Sequence, residues 1–162
     1  MAGAIKSLLI IVAVVIALVA VVFFVRSRIA PTYRVSVRDI PQVITQLSAS
    51  RSPPAFAAFI LVPPDRPDQG EAVNLQFSIE NGRVGFDWVL LAPPNIRDQE
   101  RFIAFARASG FAPSKREENN VQYLRVEDGD LATLCSEIVT KMYGWPENEP
   151  FDMITEGFVW ER

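Results

Sequence analysis

The chain contains no histidine among its 162 residues and a single cysteine, Cys135. Without histidine there is no Ser-His-Asp or Cys-His catalysis and no His-containing metal site. A lone cysteine excludes an intrachain disulfide framework and a Cys-only zinc site. Neither G-x-x-x-x-G-K-[ST] nor G-x-G-x-x-G occurs, so no phosphate-cradling loop is indicated and no cofactor is expected. A large excess of positive charge is also missing: 16 Lys and Arg stand against 19 Asp and Glu. The charge is unevenly spread. Residues 1–51 hold six basic side chains (Lys6, Arg26, Arg28, Arg34, Arg38, Arg51) and one acid, Asp39, while the remainder holds 10 basic and 18 acidic ones. The acidic part is repelled by phosphates, which excludes a nucleic-acid binder working by bulk charge.

What the chain does have is one long apolar run. Every residue from 8 to 25 is apolar, 15 of them Leu, Ile, Val or Phe, with Ala13, Ala17 and Ala20. As a helix it is roughly 27 Å long, close to the ~30 Å hydrocarbon core of a bilayer. The run exceeds a signal-peptide h-region, and no small-x-small cleavage site follows it. Residues 1–28 are therefore expected to form a transmembrane anchor with the lipid bilayer as partner, and 29–37 a basic juxtamembrane linker. Lys6 and the amino terminus flank one end; Arg26, Arg28, Arg34 and Arg38 flank the other. The positive-inside rule then makes this a single-pass protein of the cell membrane with 38–162 as a cytoplasmic domain.

Within that domain, Ile40, Val43, Ile44 and Leu47 share one helix face, with Asp39 as cap and Pro41 in the first turn. Residues 56–62 read as a buried strand, and 65–71 as a loop. Val73, Leu75, Phe77 and Ile79 alternate with polar residues, as do Val84, Phe86, Trp88 and Leu90 beyond Asn81-Gly82. An Asn-Gly turn between alternating runs predicts a two-residue type I′ hairpin. It pairs Ile79 with Val84, Phe77 with Phe86, Leu75 with Trp88 and Val73 with Leu90. Asn95 and Asp98 are placed to cap a second helix carrying Phe102, Phe105 and Ala106, closed by Gly110. Residues 113–120 read as a charged loop and 121–127 as a short strand. Asp128-Gly129-Asp130 leads into a third helix with Leu131, Leu134, Cys135, Ile138, Val139 and Met142 on one stripe. The tail from Glu147 is acidic yet carries Phe151, Ile154, Phe158 and Trp160, which must dock on their own domain or cover a partner. The expected fold is α+β: a transmembrane helix, then a two-layer α-β-β-β-α-β-α domain with helices on one face of an antiparallel sheet.

Cys135 lies on an apolar stripe, where burial makes a thiol inert. Asp128-Gly129-Asp130 lacks the further oxygen ligands of a calcium loop and reads as a helix cap. Glu117-Glu118 reads as solvated loop. No metal or catalytic residues are assigned, and an enzyme is not expected. The order α-β-β-β-α-β-α resembles small domains related to type III secretion chaperones and YbjN-type proteins. The residues carrying the likeness are 73–80 running into 84–90, the helix end Ala108-Ser109-Gly110-Phe111, and the helix end Met142-Tyr143-Gly144-Trp145, within a span of 36–158. The resemblance implies dimerisation or binding of a partner's peptide segment, and implies no catalytic residues. The leading expectation is a membrane-anchored module that binds a protein partner or self-associates, with Phe151, Ile154, Phe158 and Trp160 as candidate interaction surface. The alternative is a membrane-tethered enzyme with a carboxylate-based site. A cleft gathering several of Asp87, Glu117, Glu118, Asp128 and Asp130 would favour the enzyme; an exposed apolar patch on the sheet or a helix would favour binding.

Overall fold

Alternation of apolar and polar residues on either side of Asn81-Gly82 forms the hairpin on which the rest of the sheet is assembled. The computed structural model describes residues 31–50, 54–62 and 72–162. Strands β3 (Val73–Glu80) and β4 (Arg83–Val89) are antiparallel, with Ile79 opposite Val84 and Phe77 opposite Phe86. Asn81 and Gly82 both have positive φ, 51° and 76°, as a type I′ turn requires. The ladder ends at Gln76 opposite Asp87, one step before the expected Leu75–Trp88 pair. Beyond it Asn95 takes over: its side chain accepts from the Asn74 N–H (3.0 Å) and donates to the Asn74 carbonyl (2.7 Å). The Trp88 indole N–H donates to the Asn95 carbonyl, 2.9 Å away. A side-chain amide thus stands in for the missing stretch of strand, and Asn95 serves the sheet instead of capping a helix.

The sheet has seven strands in the order β1-β7-β2-β3-β4-β6-β5, every neighbouring pair antiparallel. Three of them correct the expected α-β-β-β-α-β-α order. β1 (Thr32–Val35) lies within the stretch read as a linker, and the compact unit begins at Pro31. β5 (Ser114–Glu118), read as a loop, is an exposed edge strand joined to β6 (Val121–Val126) through Asn119-Asn120, both at positive φ. β7 (Phe151–Glu156), the apolar part of the tail, inserts between β1 and β2 (Phe56–Leu61). The expected transmembrane anchor, residues 1–28 with Lys6, Arg26 and Arg28, lies outside the described residues. Among the described residues no helix is long and apolar enough to cross a membrane, so the described fold is the α+β sheet and its helices alone. Arg34 and Arg38, expected beside a membrane, belong to the domain: Arg34 lies on β1, 3.3 Å from Asp152 of β7, and Arg38 is exposed in a 3-10 turn.

The helices are α1 (Ile40–Ser48), α2 (Pro93–Arg97), α3 (Gln99–Ala108) and α4 (Leu131–Glu137), the last continued by a π turn at Ile138–Met142. Asp39, expected to cap α1, instead accepts from the Ser36 N–H at 2.8 Å and closes the 3-10 turn before the helix. Asp130 caps α4 as expected, accepting from the Thr133 N–H at 3.0 Å, and its carboxyl is held below the usual range by that bond. Ile40, Val43 and Leu47 of α1, Phe102 and Ala106 of α3, and Leu134 and Cys135 of α4 share one core with alternate positions of the sheet. Strand contributions include Ala57, Phe59, Leu75, Phe77, Phe86, Trp88, Leu124 and Met153. Trp88 stacks on Phe102 with ring centroids 4.6 Å apart, so these aromatics belong to the core. The tail folds onto the same face: Trp160 is buried, and Gln42 and Gln46 of α1 donate to the Glu161 carbonyl. One sheet face is thereby spent on the core. The other is lined by the complementary positions, among them Phe56, Ile60, Gln76, Ser78, Asp87, Val121, Tyr123 and Ile154.

Candidate functional site

On that second face, among the described residues, Arg125 of β6 is a charge with no exposure at all, beside Asp87 of β4 at 2%. They are register partners, which brings both side chains up on the same face. Arg125 Nη1 donates to Asp87 Oδ1 at 2.7 Å and to Ser78 Oγ at 2.9 Å, and lies 3.3 Å from Glu80 Oε1. Its Nε donates to Glu127 Oε1 at 2.8 Å and its Nη2 to the Arg83 carbonyl at 3.2 Å. Ser78 Oγ donates to Asp87 Oδ2, and Tyr123 donates to Glu80 at 2.7 Å. Gly85 makes room for this arrangement: a Cβ there would sit 2.3 Å from Arg125 Cζ.

The titration of each group follows from this packing. Burial pushes the Asp87 carboxyl up from 3.8 to about 6, against the bonds from Ser78 and Arg125 that favour its charge. Burial alone would lower Arg125, but the Asp87 charge and the bonds to Glu127 and Asp87 outweigh it and hold the guanidinium more firmly protonated. Burial and the bond to Glu80 push the Tyr123 phenol well up, and the bond from Arg125 lowers Glu127.

Beside the network the sheet curves into a concavity of about 830 Å³. Phe56, Ile79, Val89, Val121 and Tyr123 give it apolar walls; Glu80, Asp87, Glu117 and Glu118 give it carboxylates. It thus gathers three of the five acids singled out in the sequence. Asp128 pairs with Arg83 at 2.7 Å and Asp130 caps α4, so neither joins it. Asp87 has both oxygens engaged, Oδ1 by Arg125 and Oδ2 by Ser78, which suits a structural ion pair better than a proton carrier. Among the described residues no group of three or more Asp, Glu or Cys is placed to hold a metal ion.

The residues nominated as an interaction surface are dispersed. Phe151 and Trp160 are buried in the chain's own core, and Phe158 packs against that core. Ile154 is on the second face, which no described helix covers, half-exposed and opposite Ala58 of β2. Cys135 is fully buried, and burial pushes its thiol far up. Sequence reasoning missed Arg125, Ser78 and Gly85. One signal pointed toward them: Gly85 weakens strand β4 without marking a turn.

Comparison of the chain with protein-family models gave no match, and neither did comparison with curated proteins or with solved structures.

Proposed function

We propose that this chain is a binding module that docks a protein partner on the uncovered face of its sheet, over the concavity between β2, β3 and the β5–β6 hairpin. The observation that carries this reading is the combination of about 830 Å³ of open volume with walls from Phe56, Val89, Val121 and Tyr123. That size and mixed lining are typical of sites that take side chains or small molecules. The buried Arg125 network supports the docking reading as scaffolding, since it fixes the strands that form the floor without offering a free nucleophile or base. A chaperone-like resemblance implies binding too, but the element order that suggested it differs from that of the sheet, so the proposal rests on the concavity.

A carboxylate-based enzyme has one observation in its favour, the meeting of Asp87, Glu117 and Glu118 at this site. It is the weaker reading because Asp87 is occupied at both oxygens and Glu117 and Glu118 are exposed side by side. General acid–base chemistry needs two carboxyls in distinct environments flanking a reacting bond. The test is co-purification with the full chain and with two folded variants, Phe56→Lys/Val121→Lys on the uncovered face and Glu100→Lys on the outer side of α3. A partner lost only with the first variant supports the proposal. A partner retained by the first, or lost with the second, overturns it.

A further inference from the structure

We infer that the partner segment received by this concavity is a basic peptide that carries apolar side chains between its cationic ones, an inference that rests on the docking reading above. Charge complementarity gives the sign. Among the described residues four carboxylates line the concavity and no lysine or arginine does. They are not equivalent. Asp87 is spent on Arg125 and Ser78, and Glu80 accepts from Tyr123 and faces Arg125 at 3.3 Å. Glu117 and Glu118, at the end of β5, have no ion-pair partner among the described residues and stand exposed at the rim. An anionic or neutral polar occupant would meet two uncompensated charges there, and a lysine or arginine would neutralise them.

The walls supply the second half of the specificity. Val121 pairs with Glu118 across the hairpin and shares its face, and Val89 and Phe56 line the same concavity. A cationic side chain bonded at Glu118 therefore leaves its neighbours over Val121 and Val89, where an apolar group removes water from both surfaces. A bare polycation would satisfy the rim and leave the walls wet. A wholly apolar segment would leave the rim carboxylates unpaired as it covered them.

Fluorescence anisotropy of labelled peptides titrated with the full chain tests this. The probes are a short peptide of alternating arginine and leucine, and the same peptide with glutamine or glutamate replacing arginine. The arginine peptide is expected to bind roughly tenfold more tightly than the glutamate one, to weaken as sodium chloride is raised, and to weaken about threefold to tenfold on Glu117→Gln/Glu118→Gln. Both glutamates are exposed, so this variant keeps its fold. If the three peptides bind alike and Val121→Lys weakens all of them, the basic partner is wrong while docking at this face stands. If none binds below about 1 mM, or binding ignores both variants, docking at this face fails as well.

Discussion

Gly85→Ala is the smallest change that should dismantle the buried network, and its cost follows from the geometry around Arg125. The new methyl carbon would lie 2.3 Å from Arg125 Cζ, 2.5 Å from Nη2 and 2.7 Å from Nε, well inside van der Waals contact. A long side chain ordinarily swings away from such a clash cheaply. This one is pinned at every nitrogen, by Asp87 and Ser78 at Nη1, by Glu127 at Nε and by the Arg83 carbonyl at Nη2. Displacing it leaves Asp87, 2% exposed, without its counter-charge. Breaking a buried pair in this way costs about 3–5 kcal/mol, against a total stability of about 5–15 kcal/mol for a domain. The expected loss, about 3 kcal/mol or more, is readable by urea unfolding followed through tryptophan fluorescence, to which the wholly buried Trp88 contributes. The control is the same substitution with Arg125→Met and Asp87→Asn already present. There the methyl has no guanidinium to displace, and Gly→Ala in a strand should cost nothing or add about 0.5–1 kcal/mol of stability. The coupling between the sites should therefore exceed about 2 kcal/mol. Equal effects of Gly85→Ala in the two backgrounds would refute the claim that Gly85 exists to seat Arg125.

Asp87 should also give the fold an unusual pH response. The folded state keeps this proton up to about pH 6 while the unfolded chain loses it near the ordinary 3.8, so its contribution to stability falls as pH rises through that window. The drop is up to about 3 kcal/mol, visible as a slope in chemical-denaturation midpoints that Asp87→Asn should flatten; an unchanged slope would count against it. Cys135 should resist alkylation in the native state, with labelling limited by unfolding, and Cys135→Ala should cost about 1 kcal/mol. Rapid labelling of the folded chain would contradict its burial. Removing residues 150–162 should abolish cooperative unfolding, because β7 is bonded on both sides and its loss separates β1 from β2. A truncated chain that still unfolds in one sharp transition would show the tail to be an accessory.

What was legible in the sequence was whatever paired an apolar face with a period. The β3–β4 register, the stripe of α4 and the burial of Cys135 follow from alternation or from i, i+3, i+4 spacing, because each of those elements has one wet and one dry side. The two edge strands carry no such signal. Ser114–Glu118 is exposed at every position, and its charges are what keep an open edge from pairing with other chains. Thr32–Val35 buries one residue of four, Val35, and its arginine reads as part of a basic linker until Asp152 is seen beside it. β7 was hidden for a different reason. Its alternation of Phe151, Met153 and Thr155 against Asp152, Ile154 and Glu156 is present, but the acids around it made the segment look like a tail, and nothing local says that a last strand enters the middle of a sheet.

The site was less legible than the fold because it depends on registers between strands far apart in sequence. Asp87 and Arg125 are 38 residues apart and meet only because β6 pairs with β4 rather than with β3. The same pairing places Tyr123 beside Glu80 and carries the β5–β6 hairpin, with Glu117 and Glu118 at its tip, to the rim of the concavity. A slip of one residue in β6 would turn Arg125 and Tyr123 into the core and Leu124 and Val126 out to the concave face. The buried ion pair forbids that slip, since an unpaired guanidinium against Phe86 and Trp88 would cost far more than the pair contributes in place. Its energetic role is therefore one of selection among registers, and the concave face inherits its shape from that choice. The buried polar residues of the network, on this reasoning, hold the apolar walls and the exposed rim carboxylates in the geometry that the proposed partner would meet.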